Sequence, residues 1–441
     1  MNRRRKRPNW FRITILLLLI AAGIYLDRVI IPTVPQPFVP TATPTRDPES
    51  FALEADLLFQ EGKLLQSVET YTDAIQVRPD DPTLFISRAR VQIYAGEYAE
   101  AETSAQDALL LSPNNSMAHV MLAWALDFQG DYLAAESSIN RALTLDPNNA
   151  LAHAIYVEIL VDSYYSGTGT FEGLTKAADE SRIAIDLAPD TLETHRARGI
   201  ILEATQNYEE AISEFQAALA INENIPDLHL FLGRNYRILG VYDKAVEEFT
   251  RADTLNPGDP TPDLLISRTY ATVGEYAKAV QYAQEAMDDN PTDANLRGNL
   301  GVMFYRNFQW PEAVEQLKIV VAGGATEDNQ PIEPIQLTND TRIAEYYFTY
   351  GLVLARLNRC GEALQVAQQI QARIPSDEIA VANAQEVAVI CEQNLATTPT
   401  SELPSLPEET LAPGEATPTS ELPSIPTDTP IPEEVTPTPE P

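Results

Sequence analysis

Basic residues are scarce in this 441-residue chain: 30 Lys and Arg stand against 64 Asp and Glu, giving a formal net charge of −34 and a pI near 4.3. Nucleic-acid affinity comes mainly from cations that neutralise phosphates, so a field of this sign excludes a phosphate-rich polymer as partner. Cysteine is limited to Cys360 and Cys391, and histidine to His119, His153, His195 and His229. No Cys-x-x-Cys pair, zinc-protease helix motif or nucleophile elbow is present. The stretch SGTGTFEG around Gly167 lacks the Lys-Ser/Thr of a phosphate loop, and no dinucleotide-binding strand pattern surrounds it. Carboxylate pairs are so frequent that none stands out. Enzymatic chemistry has no constellation to rest on, and no cofactor or metal site is expected.

A long hydrophobic run is also wanting. Ile13–Leu26 offers 14 uncharged residues, about 21 Å of helix against a hydrocarbon core about 30 Å thick. The segment is nevertheless flanked by Arg3, Arg4, Arg5, Lys6 and Arg7, the grammar of membrane insertion. Trp10, Phe11 and a snorkelling Arg12 extend it on one side, and Tyr25, Val29, Ile30 and Ile31 on the other, past Asp27 and Arg28. Residues 10–31 therefore read as a single transmembrane anchor. Positive-inside bias leaves residues 1–9 in the cytoplasm and the remainder outside it. The rival reading is a secreted protein released by signal cleavage; against it, no small-x-small site follows the run.

Proline divides what remains. Residues 32–48 carry too many prolines for a helix or a central strand and read as an extended stalk. Residues 397–441 hold Pro, Thr, Ser and nine acidic residues without Lys or Arg, and are expected to be a disordered tail. There TPTSELPSLP recurs as TPTSELPSIP, a low-complexity duplication.

Between the stalk and the tail, prolines at 79, 113, 147, 189, 257 and 291 are separated by 34, 34, 42, 68 and 34 residues, a period of 34 with one eight-residue insertion. Small residues keep the same beat: Ala101, Ala135, Ala211, Ala245 and Ala279 in one register, and Ala108, Ala142, Ala218, Ala252 and Ala286 in another. A third register holds Ala55, Ala89, Ala123, Gly199, Gly233 and Gly301. Small side chains at fixed points on apolar-periodic helices let backbones approach, while Gly62, Gly96, Gly130, Gly240 and Gly274 supply a turn inside each pair.

Segments such as LFLGRNYRILGVYDKAVEEFTRADTLNP, Leu230–Pro257, resemble the tetratricopeptide repeat. The fold expected over residues 49–396 is an all-α helix-turn-helix solenoid behind the N-terminal transmembrane helix. Its nine repeats start near Pro48, Pro82, Ser116, Ala150, Leu192, Pro226, Pro260, Ala294 and Ala344, with a capping helix near Asp377–Asn394. Two departures are visible: the insertion near SYYSGTGTFEG, and about sixteen extra residues, 328–343, between the eighth and ninth repeats.

The resemblance implies a ligand groove on the inner faces of the first helices. Mapped onto this chain it includes Ile93, Tyr94, Trp124 and Phe128 early, and Arg196, Arg234, Arg237, Arg268, Tyr305, Arg306 and Arg356 later. Arginines on one face of an acidic chain point to a protein or peptide partner with carboxylates, which a guanidinium fork pairs bidentately; pairing with the solenoid's own Glu and Asp is the alternative. The Lys-and-Asn clamp that some relatives use for chaperone tails is not reproduced. A saccharide- or small-ligand-binding module, stacking on Tyr94, Trp124 and Tyr305, is a second reading, and an enzyme a distant third.

The four histidines share one slot in successive repeats. Helices pack about 8–10 Å apart, too far for one zinc ion, so they read as packing residues. Cys360 and Cys391 are equidistant from a turn at 375–376 and stand level if the flanking helices are antiparallel. A bridge there requires both to point inward, and free thiols are the alternative.

Overall fold

The computed structural model of the protein describes residues 10–26, 28 and 47–397. Among the described residues, those up to Cys391 belong to one unit and those from Glu392, the end of the last helix, to another. Helix α1 spans Trp10–Tyr25, and its side chains from Ile13 onward are exposed. At 16 residues it measures about 24 Å. No helix among the described residues is long and apolar enough to cross a membrane. Val29–Ile31, on which the expected span depended, lie outside the described residues, as do nearly all of the stalk and the tail beyond Thr397.

From Pro48 the chain folds as nine antiparallel helix pairs. They are α2 (Pro48–Gln60) with α3 (Leu64–Val77), α4 (Pro82–Tyr94) with α5 (Tyr98–Leu111), α6 (Ser116–Phe128) with α7 (Tyr132–Leu145), and α8 (Ala150–Tyr165) with α9 (Phe171–Leu187). Then come α10 (Leu192–Ala204) with α11 (Tyr208–Ile221), α12 (Pro226–Ile238) with α13 (Tyr242–Leu255), α14 (Thr261–Thr272) with α15 (Tyr276–Asp289), and α16 (Ala294–Arg306) with α17 (Trp310–Ala322). The ninth pair is α18 (Thr341–Arg356) with α19 (Cys360–Arg373), and α20 (Glu378–Thr397) follows.

Local chemistry explains these boundaries. The first helix of several pairs opens on a side chain that takes a free N–H of the first turn: Asp81 from Thr83, Asn115 from Ala118, Asn149 from Ala152, and Asp340 from Arg342 and Ile343. Proline occupies the first turn of α2, α4 and α12, where its missing N–H costs nothing. The periodic small residues lie where paired helices touch, and Ala89, Ala101, Ala108, Ala211 and Ala245 are fully buried. The size limit is strict at Gly233, where an added β-carbon would stand 2.4 Å from the ring of Phe249.

The link between the eighth and ninth pairs carries structure that the sequence pattern did not indicate. Gly323, at φ 77°, ends α17, and β1 (Gly324–Ala325) then pairs antiparallel with β2 (Pro331–Ile332), Gly324 opposite Ile332. The Ile335 N–H bonds the Val320 carbonyl at 2.9 Å and Leu337 is buried, so the link lies back over the helices and does not loop free. The buried apolar residues form two clusters. One runs from the first pair to Leu265 and Ile266 and the other begins at Ala271, and Tyr270 on α14 packs against both.

Candidate functional site

The early part of the expected groove is filled by the protein itself. Ile93, Tyr94 and Trp124 are buried, and Phe128 is half-buried, stacked on Tyr98 with ring centres 4.6 Å apart. Arg196 is 1% exposed and meets Glu158 at 3.1 Å and Asp227 at 3.4 Å. Its guanidinium faces the rings of Tyr94, Trp124, Phe128 and Phe231 within 6 Å. Trp124 Nε1 donates to Glu158 at 3.2 Å. Burial pushes the Glu158 carboxyl up to about 7 even with Arg196 beside it.

Contacts of the first two pairs with the fifth pair and the connection after it seal this space. Arg90 on α4 pairs with Glu193 on α10, whose Oε1 also accepts from Tyr94 at 3.1 Å. Asn224 Nδ2 donates to the Gln60 carbonyl at 2.8 Å. At this crossing Gly62 has φ +75°, and a β-carbon would lie 2.8 Å from that of Asn224. The assignment of Ile93, Tyr94, Trp124 and Arg196 to a ligand-facing surface is thereby corrected. Repeat spacing reports which side chains share a face, but not whether distant repeats close over it. The stacking faces of Tyr94 and Trp124 are likewise not offered to a saccharide.

The later arginines are placed differently. Arg234 is half-buried over the Phe231 ring and pairs with Glu203 at 3.2 Å. Arg237, one turn further on α12, is half-buried, and its Nε has no hydrogen-bond partner. Arg268 on α14 is half-buried and donates to Asn299 at 3.3 Å. Arg342 at the start of α18 is exposed and pairs with Glu345 at 3.3 Å, while Arg306 meets the same carboxylate at 2.7 Å. Burial, followed by the charges of Arg342 and Arg234, pushes the Arg237 guanidinium below its usual range. Burial, followed by Arg342 and Arg237 and partly offset by Tyr346, does the same to Arg268. Arg237, Arg268 and Arg342 thus converge, with other arginines as their strongest charged neighbours. Tyr305 is half-buried and Arg356 exposed, and among the described residues neither carries a hydrogen bond or ion pair to this cluster.

Sequence periodicity missed Arg342, because the irregular link after α17 takes it out of the 34-residue register. Its position at the start of the helix after Asp340 was the only signal that could have found it. Cys360 and Cys391 are bridged, with α-carbons 5.6 Å apart, which ties α19 to the part of α20 that packs on it. The histidines bond within their own repeats: His153 and His229 each hold a carbonyl six residues back at 3.0 Å and a glutamate of the paired helix. Among the described residues no group of three or more His, Cys, Asp or Glu is arranged to hold a metal ion.

Residues 86–150 and 264–328 match the tetratricopeptide repeat family, as do 192–225 and 226–259. No characterised relative matches the chain in sequence. Among solved structures, PilF of Pseudomonas aeruginosa is similar at 20% identity over 46% of this chain and 90% of that one, with a TM-score of 0.38. A tetratricopeptide repeat protein from Parabacteroides merdae is similar at 15% identity over 58% of this chain and 98% of that one, also with a TM-score of 0.38. Likenesses at this level carry nothing about a partner.

Proposed function

The chain is a tetratricopeptide-repeat protein, and from that premise we propose that it is a non-catalytic scaffold that binds an acidic segment of a protein partner at Arg237, Arg268 and Arg342. Repeats of this family typically serve protein interaction. The observation that carries the reading is the state of Arg237 and Arg268: both are half-buried, and the charges that act most strongly on them are other arginines, in a chain of net charge −34. A carboxylate-bearing ligand relieves that repulsion and supplies acceptors to a guanidinium whose Nε has none. In this proposal the scaffold is tethered by residues 10–31, with the repeats outside the cytoplasm. The apolar face of α1, its basic flank and the disulfide support that address.

The test is fluorescence anisotropy of a labelled Glu-rich peptide on the full-length chain in neutral detergent. Arg237→Glu and Arg268→Glu are each expected to weaken binding at least about tenfold, and Arg356→Glu to leave it nearly unchanged. Equal affinity for all four proteins would remove the arginine cluster as the site.

A further inference from the structure

One slot recurs through the solenoid. Positions 119, 153, 195, 229, 263 and 297 stand in equivalent places in the first helices of successive pairs. At five of them the residue is a nitrogen donor. His119, His153 and His229 hold the carbonyl six residues earlier at 3.2, 3.0 and 3.0 Å, and Arg297 donates to that of Pro291 at 3.0 Å. His195 bonds Glu214 at 2.7 Å. The seventh repeat instead has Asp263, which is 7% exposed and whose ionised carboxylate has nothing to donate.

Its surroundings make that exchange consequential. Asp253 on α13 and Glu285 and Asp289 on α15 carry charge close to it, and Asp259 in the connection acts on Asp253 and Asp289. Tyr282, also on α15, occupies the place where Glu214 and Glu248 accept from histidine in earlier repeats. Cations on the adjoining helices are engaged elsewhere: Lys244 over Tyr236, Lys278 with Glu275, Arg251 with Asn224, and Arg297 with Pro291 and Gln316. His229 on α12 is held by Glu248 and the Glu223 carbonyl. The first turn of α14 favours a negative charge, but Asp263 takes no N–H from it among the described hydrogen bonds. Asp263 also lies on the helix whose Tyr270 packs against the buried residues of the repeats on both sides.

We infer that the joint between the sixth and seventh repeats is set by a proton on Asp263: the neutral acid closes it, and ionisation loosens the seam at α14. The neutral carboxyl brings back an O–H donor to a slot that elsewhere holds an N–H donor. The carboxylate adds a further like charge beside Asp253, Glu285 and Asp289 on the helices packed against α14. Burial, then the charges of Asp253, Glu285 and Asp289, pushes the Asp263 carboxyl up to about 7, so the switch falls near neutrality. An exposed Asp titrates near about 4. Between about pH 4 and 7 the native chain thus holds a proton that the unfolded chain has lost. The contribution to stability is full below that window, falls across it, and is lowest above it.

The experiment compares the full-length protein with Asp263→Asn, a neutral isostere that retains a donor, by thermal unfolding from pH 4.5 to 8.5. Hydrogen exchange is read over α13, α14 and α15. The variant is expected to melt higher than wild type above pH 7, by roughly 2–4 °C, with the two curves merging at the acid end. Faster exchange in α14 at pH 8 than at pH 5 is expected in wild type and not in the variant. Parallel melting curves would overturn the inference. So would an Asn variant that is less stable than wild type at pH 8 or fails to fold, because a neutral donor would then not substitute for the acid.

Discussion

Three of the turns inside helix pairs place a residue other than glycine in the left-handed region: Gln206 at φ 64°, Phe308 at 61° and Asn358 at 61°. Glycine fills the equivalent place at Gly62, Gly96, Gly130, Gly240 and Gly274. Asparagine tolerates this conformation through its short polar side chain, whereas a ring on Cβ does not. Phe308 is 79% exposed, with its ring 6.5 Å from that of Trp310, so little packing compensates for the strain. Phe308→Gly is expected to stabilise the eighth repeat by a net ~0.5–1 kcal/mol, the relief of strain exceeding glycine's greater unfolded entropy. Urea unfolding with an unchanged slope and a higher midpoint is the expected reading; a lower midpoint would show that the ring is held by contacts worth more than the strain. Single residues were the scale least legible in the sequence. Trp124 and Arg196 meet at 5.6 Å, yet nothing local reports that Glu158, Tyr94 and Phe231 arrive from three other helices to bury them.

At the scale of helices the sequence was far more informative, since a 34-residue beat of small residues, capping side chains and first-turn prolines specifies the same pair many times over. The expected starts at Pro48, Pro82, Ser116, Ala150, Leu192, Pro226 and Ala294 are the observed ones, and two others shift to Thr261 and Thr341. Where the beat fails the reading fails with it, as in the link that carries β1 and β2 and brings in Arg342. The Cys360–Cys391 bridge closes a loop of 31 residues, which in chain-entropy terms corresponds to about 3–4 kcal/mol. In a solenoid that contribution is local, because each repeat mainly contacts its neighbours. Cys360→Ser with Cys391→Ser is expected to raise hydrogen exchange in α19 and in residues 378–391 while leaving α4–α9 unchanged. A uniform loss of protection along the chain would show instead that the C-terminal repeats are coupled to the whole.

For the unit formed by residues 1–391, a plain nearest-neighbour array is an incomplete description. The second pair touches the fifth, through Arg90 and Tyr94 on Glu193, and the first pair touches the connection after the fifth, through Gln60 on Asn224. Such a long-range contact links the unfolding of segments that a one-dimensional array would release one at a time. Glu193 is 7% exposed and is the shared acceptor, so the crossing depends on it more than on any other single residue. Removing its carboxylate leaves the half-buried Arg90 guanidinium and the Tyr94 hydroxyl without their acceptor, and this type of loss costs about 3–5 kcal/mol where the pair is well buried and less where, as at Arg90, one side is partly open. Glu193→Ala is therefore expected to destabilise the protein by about 2–3 kcal/mol and to split the urea transition of α2–α11. Exchange should rise first in α4, which carries Arg90 and Tyr94, even though that helix does not contain the substitution. If the transition stays single and the loss of protection is confined to α10, the crossing is a passive contact, and the first five repeats behave as an ordinary chain of neighbours.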